Sequence, residues 1–350
     1  MIGRRLWAIA AIVAMAAGPL AAQQSAPPQP APPPRVAPPW RMSIRADNDA
    51  FNFWRGIHDR PDKEYTNGDE LTVELSAAPW WGRRFASHLE PCNGTEPSGT
   101  RCLTTAFALG QDMYTPKPSR EPRETTDWQD DRPYAAWLYA SGEARVLGEE
   151  FMRTVSLALG VVGPPALGEV AQRTAHRLSG VYDQDPIGWD TQVGFEPGIM
   201  LSARSVRRFV GRMPSGRAVM DFTPQIGGSF GNVLTEAEGG FQLRAGTNLS
   251  SPWWTNGNGR APVELYVLAG LRGEAVAHNI TLDGNTLGAT RRVDRVPLVG
   301  EYSVGVGGRL GGFVAEWRAV TRSREYTTGP MEHAYSTLFA SYEVPAHLGR

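Results

Sequence analysis

The sequence predicts an all-β protein: a transmembrane antiparallel β-barrel of about twelve strands, with one short extracellular loop helix near residues 167–179. Three observations predict it. Apolar and polar residues alternate with period two through segment after segment, with turn residues between them. The chain opens on an export signal. Long polar loops such as Pro116 to Arg132 alternate with tight turns, which favours a membrane barrel over a soluble sandwich of similar alternation.

Arg4 and Arg5 form a short basic segment ahead of an apolar run, Leu6 to Ala17, too short to span a bilayer. Pro19-Leu20-Ala21-Ala22 supplies small residues for cleavage, so residues 1–22 are expected to be a signal peptide. A retained anchor is the alternative. Residues 23–39 are rich in Pro, Ala and Gln, cannot bury a core, and read as an extended, disordered leader. The folded domain is expected over 40–350, starting near Trp40.

Within that domain, Leu71, Val73 and Leu75 alternate with Thr72, Glu74 and Ser76, and Val155, Leu157 and Leu159 with Ser156 and Ala158. Val263 to Leu271 carries apolar residues at odd positions. Phe313, Ala315, Trp317 and Ala319 alternate with Glu316 and Arg318, and Tyr335, Thr337 and Phe339 close the series. Trp and Tyr near many segment ends suit the interfacial girdles of a barrel. The 39 glycines, clustered as in Gly305-Val306-Gly307-Gly308, fit a curved sheet with close backbones. Cys92 and Cys102 are close in an exported chain and read as a disulfide closing a small loop.

The helix follows Gly163-Pro164-Pro165, where proline is tolerated in a first turn, and stops at Gly180. Leu167, Val170, Ala171, Thr174, Ala175 and Leu178 share one face at helical spacing; Glu169, Gln172 and His176 share the other. The simplest expectation is a loop helix with its polar side in water. A barrel does not need such a helix, so its Gln and His are candidates for chemistry.

Composition excludes some partners. A net charge of -1 offers no electrostatic footprint for nucleic acid. After the signal peptide no segment reaches the ~18 consecutive apolar residues of a membrane helix. A mean hydropathy of -0.33 is compatible with barrel strands, whose alternation dilutes the signal. Of 35 basic residues only Lys63 and Lys117 are lysine. Arginine suits bidentate contact with phosphates, although a biased genome gives the same preference.

Asn48-Asp49 ends the first strand, and adjacent residues there line one site only at a bulge or strand end. Glu64-Tyr65-Thr66-Asn67-Gly68-Asp69-Glu70 enters the second. Clustered carboxylates and amides suit a hard cation such as calcium, though Asx turns explain them as well. The chain has no Gly-x-Ser-x-Gly elbow, His-Glu-x-x-His pair or phosphate-binding glycine loop.

The order of segments resembles the LpxR-type lipid A 3′-O-deacylases, outer-membrane β-barrels, from about Ser43 to Tyr342. The residues that carry it are Ala46-Asp47-Asn48-Asp49, Tyr65-Thr66-Asn67-Gly68, Gln111-Asp112-Met113-Tyr114-Thr115-Pro116, Asp131-Arg132-Pro133-Tyr134, and Gly160-Val161-Val162-Gly163-Pro164 leading to Gln172 and His176. The resemblance implies an integral outer-membrane, calcium-dependent carboxylic ester hydrolase acting on lipid A of lipopolysaccharide. Its site would comprise Asn48, Asp49, Thr66, Gln172 and His176, with calcium near Asp49 and Asn48. The family's lysine after Tyr-Ser/Thr-Pro has no matching position, since Lys117, Arg120 and Arg123 lie in a loop of different length. Lys117, Arg120 and Arg132 are the basic loop residues expected to meet the substrate. Near the family's acidic residue after the His stand Tyr182, Asp183 and Asp185. Outer-membrane lipids, not nucleic acid, are the expected partners, and the protein is expected to be a monomer. The alternatives are a barrel phospholipase, for which no Ser stands out beside His176, and a non-enzymatic porin or structural barrel.

Overall fold

A computed structural model describes residues 40–49, 64–76, 101–116, 130–179, 186–253 and 263–343 except 287 and 289, with short pieces at 35–36, 89–92, 95–96 and 255–256. The expected signal peptide, Lys117, Arg120, Arg123, residues 181–185 and the tail 344–350 lie outside these residues.

Twelve strands form the wall: β1 (Trp40–Asn48), β2 (Glu64–Leu75), β3 (Cys102–Thr115), β4 (Ala135–Leu147), β5 (Phe151–Val162), β6 (Glu196–Arg207), β7 (Ala218–Gly231), β8 (Leu234–Thr247), β9 (Glu264–Asn279), β10 (Leu298–Leu310), β11 (Phe313–Ser323) and β12 (Glu332–Glu343). Each pairs antiparallel with the next. The last closes on the first, with Tyr342 opposite Met42 and Ser336 opposite Asn48. Closure leaves no free sheet edge among these strands, as a wall in hydrocarbon requires. The loop between β5 and β6 carries helix α1 (Gly168–Ser179), and one helical turn, α2 (Ile280–Asp283), follows β9. Ordered pairing begins earlier than expected. A two-residue strand, Arg35–Val36, pairs with Thr255–Asn256 and Thr95–Glu96, so the leader is not wholly without structure.

The alternation sorts side chains by medium. Met42, Ile44, Leu71, Phe107, Leu109, Leu157, Leu159, Val304 and Val306 are exposed on the outside, a continuous apolar wall that only lipid can cover. Inside, buried charges pair across the lumen. Arg145 meets Glu74 at 2.9 Å, Arg208 meets Asp221 at 2.9 Å, Arg322 meets Glu274 at 2.7 Å and Arg309 meets Glu343 at 2.8 Å. This interior is where much of the chain's arginine resides, because a planar fork bridges neighbouring carboxylates better than an ammonium.

The strand ends at Asn48, Glu64 and Thr115 share one rim. Tight turns at 148–150 and 311–312 lie at the opposite rim, with the wall's first and last residues, Trp40 and Glu343. The Asn48 rim carries the long connections 116–134 and 163–195 beside one two-residue turn at 232–233, and long loops mark the extracellular end of such barrels, so the Asn48 rim is extracellular. The bonded pair Cys92–Cys102 sits at the periplasmic rim, packed with Leu147, Val206 and Trp253. It fastens the loop beside β3, far from the site below.

Candidate active site

Counting alternation upward along β1 places Asn48 on the outer face with Met42 and Ile44, and Asp47 on the inner face. There Asp47 accepts hydrogen bonds from Tyr65 at 2.9 Å and Thr337 at 2.6 Å. The strand ends at Asn48, so Asp49 turns away from the alternation and is buried. The neighbouring strand breaks its own alternation. Tyr65 pairs with Tyr114 and Asn67 with Met113, so Thr66 is an inserted bulge residue. Tyr65 and Gly68 face the lumen, so Thr66 and Asn67 both stand on the outer side. Thr66 Oγ1 lies 2.6 Å from Thr115 Oγ1 on β3, and Asn48 Nδ2 donates to Asn67 Oδ1 at 3.0 Å. Asn48, Thr66, Asn67 and Thr115 thus occupy one outward patch at the extracellular rim.

The loop helix is fastened beside that patch. Gln111, outward on β3, donates from Nε2 to the carbonyl of Ala166 at 2.5 Å. Ala166 packs with Met113, Tyr134, Ala136 and Trp189. Gly168 begins α1 at the contact itself: an added Cβ would lie 2.5 Å from the Trp189 ring and 2.6 Å from the Ala136 Cβ. Only glycine lets the helix start this close to the wall.

The helix lies the opposite way round from the simple expectation. Gln172 and His176 are 3% and 8% exposed, whereas Leu167 and Val170 are 52% and 58% exposed. Leu167, Val170, Thr174 and Ala175 look outward, while Gln172 and His176 face the protein. The rule that apolar faces turn inward assumes water outside, and beside an outer-membrane wall the surrounding medium includes lipid. Burial of Gln172 and His176 then demands partners. Trp189 Nε1 donates to Gln172 Oε1 at 2.7 Å. An indole only donates, so this bond fixes the amide: Gln172 turns its NH2 end away from the tryptophan.

Arg132 departs from expectation. It is fully buried on the inner side, with Nη1 3.1 Å from Glu64 and 3.2 Å from Glu325, Nη2 donating to Thr281 at 3.2 Å, and its guanidinium over the Tyr114 ring. No face of it is left for a lipid phosphate; it ties the ends of β2, β4 and β11 together. Burial by itself would raise the Glu325 pKa, but Arg322 and Arg132 outweigh it and hold that carboxyl at about 2. Glu64, Glu325 and His333 bring possible ligand atoms within 4.8 Å of one another. The position a divalent ion would take between the two carboxylates is held by the Arg132 guanidinium. A lumen cavity of about 510 Å³, lined by residues such as Arg41, Arg244, Arg272 and Glu301, is bordered by none of the five site candidates.

At the outer patch stand the Asn48 amide and the hydroxyls of Thr66 and Thr115, and the buried Asp49 carboxylate follows Asn48 in the chain. An all-oxygen set fits a hard cation such as calcium and does not fit zinc or copper. Trp189, Gln111 and Thr115 join the neighbourhood without having been assigned a role from sequence. Positions 111, 113 and 115 share one face of a strand by period two, which was the available signal for two of them.

The fold defines an integral outer-membrane β-barrel, with a polar patch at the rim of its outer face. The chain belongs to the LpxR family: the family model described as outer membrane protein LpxR matches residues 6–344. That membership places it among outer-membrane lipid A deacylases. Among solved structures it is similar to LpxR from Salmonella typhimurium, with 21% identity, 87% of this chain and 99% of that one covered, and a TM-score of 0.66. Weaker likenesses are to the β-domain of the Bordetella autotransporter BrkA, at 12% identity over 88% of this chain and 99% of that one with a TM-score of 0.43, and to the translocator domain of NalP from Neisseria meningitidis, at 11% over 87% and 88% with 0.40. No curated protein sequence matched.

Proposed function

We propose that this protein hydrolyses an ester-linked 3′-O-acyloxyacyl chain of lipid A, with His176 as general base and calcium as cofactor. The observation that carries the reading is the inversion of α1. A helix that buries Gln172 and His176 against the outer wall, beside an outward rim patch of Asn48, Asn67 and Thr66, suits a substrate that stays in the outer leaflet. A site for a soluble metabolite has no need to open on lipid.

Each residue then has a chemical task. An acyl ester is a poor electrophile, and its tetrahedral intermediate concentrates negative charge on one oxygen. His176 takes a proton from the attacking water and returns it to the departing alkoxide. Gln172, with its carbonyl end held by Trp189, offers an amide N–H to the ester or the water. Thr66, set outward by the bulge, orients the substrate with a hydroxyl already held by Thr115. Asp49 and Asn48 would hold calcium, whose charge stabilises the developing oxyanion when the ion is bound.

The test is mass spectrometry of lipid A from cells expressing the chain. Loss of one ester-linked acyloxyacyl group supports the reading. Altered phospholipids with intact lipid A would move the assignment to a phospholipase, and unchanged lipids would leave a non-enzymatic barrel.

A further inference from the structure

We propose that Asn67 and Asp69 form a hydrogen-bond relay that fixes which end of the Asn48 amide faces the site, making both of them positioning residues; this rests on the deacylase reading above. Asn48, Asn67 and Asp69 share the outer face of the wall. Asn48 and Asn67 are direct cross-strand partners, and Asn67 and Asp69 are two apart on one strand. Asn67 Nδ2 donates to Asp69 Oδ2 at 2.8 Å, and Asn48 Nδ2 donates to Asn67 Oδ1 at 3.0 Å.

The direction of this chain follows from chemistry. An ionised carboxylate can only accept, so Asn67 must turn its NH2 to Asp69 and its oxygen to Asn48. An amide oxygen can only accept, so Asn48 must answer with its own NH2. Asn48 Oδ1 is thereby turned to the other side, as an acceptor. Without the carboxylate, each amide satisfies its neighbour equally well in either orientation, and half of the flipped states offer a donor where a cation needs an oxygen. The relay also accounts for an exposed Asp69 on a wall whose next outward residue is Leu71. A charge on the lipid side costs little near the rim and more toward mid-membrane, so Asp69 can be held at this height.

The experiment compares wild type, Asp69→Asn, the exchange Asn67→Asp/Asp69→Asn, and His176→Ala, all refolded in detergent and checked for barrel closure by heat-modifiable gel migration. Calcium binding is read by isothermal titration and deacylation of purified lipid A by mass spectrometry. In Asp69→Asn, calcium binding weakens and the calcium requirement of deacylation rises, each by about tenfold, the scale of one hydrogen bond to a charged group. In the exchange variant the carboxylate at position 67 accepts from Asn48 and from the new amide at 69. The polarity is restored, and both readouts return to within about twofold of wild type. A merely structural contact would not be rescued by swapping the two residues.

The inference is overturned if Asp69→Asn matches wild type in the titration, if the exchange variant binds no better than Asp69→Asn, or if wild type takes up no calcium. The deacylase reading fails separately. A wild-type barrel that binds calcium but removes no acyl chain, or a His176→Ala variant that deacylates normally, refutes that reading while the titration still decides the relay.

Discussion

The two sides of the wall at the extracellular rim are built from similar residues and put them to different uses. On the inner side, Arg132 is bound by Glu64, Glu325 and Thr281, while the Tyr326 hydroxyl lies 3.0 and 2.8 Å from the Glu64 and Asp131 carboxylates. Charges meet charges there. On the outer side, amides and hydroxyls dominate, and the buried Asp49 stands at the strand end beside them. One short segment serves both. Glu64, held at a left-handed φ of 69°, points into the ion-pair network; two residues later the bulge turns Thr66 outward. A β-bulge at a barrel rim thus lets a single strand contribute to the frame on one face and to a site on the other.

If that division is right, the largest change in activity comes from the outer face. His176→Ala lowers lipid A deacylation by about 10²–10⁴-fold, the range for a lost general base. Its urea unfolding midpoint in detergent micelles stays near that of wild type. A large loss of stability in this variant would make His176 part of the frame and erase the distinction. Asp49→Ala abolishes the response of activity to calcium, so that chelation by EGTA, which inactivates wild type, leaves the residual rate of the variant unchanged.

The inner face responds in stability. Arg132→Met leaves the Glu64 and Glu325 carboxylates buried without their shared cation, at a cost of about 3–5 kcal/mol in unfolding free energy. Tryptophan fluorescence during urea titration measures it. The acid limb of stability sharpens the same point. Glu325 titrates near 2 in the folded protein against an ordinary value of 4.5. Its contribution is therefore complete above about pH 4.5 and is lost as pH falls through about 2. In Glu325→Gln that acid-dependent step in the unfolding midpoint disappears.

Much of this was legible in the sequence, for physical reasons. Period-two patterning exposed Leu71, Val73 and Leu75 as one face of a strand, and the helix expected near 167–179 is found at Gly168–Ser179. Both signals are local. The partners of Arg132 were not legible, because Glu325 lies 193 residues away and only closure of the barrel brings it near. Thr66 was singled out by resemblance, but its outward direction depends on a one-residue slip between β2 and β3 that alternation alone does not reveal. Trp189 stood in a segment with no recognisable signal, and its bond to Gln172 spans a folded loop.

The face of α1 shows most clearly where pattern reading stops. Helical spacing correctly separated Leu167, Val170 and Thr174 from Gln172 and His176, but it could not say which set looks outward. That depends on the medium, and the smallest of the expected effects tests it. Val170→Leu keeps the outer stripe apolar and leaves deacylation unchanged. Val170→Asp places a charge where the helix meets the interface, which costs about 0–1 kcal/mol at that depth, and raises the apparent KM for lipid A in vesicles by up to about fivefold with kcat preserved. The same substitution assayed on lipid A dispersed in detergent has a smaller effect. Were Val170→Asp to lower kcat as strongly as His176→Ala in both media, the outward stripe would belong to the site, and the division between the two faces of this helix would be wrong.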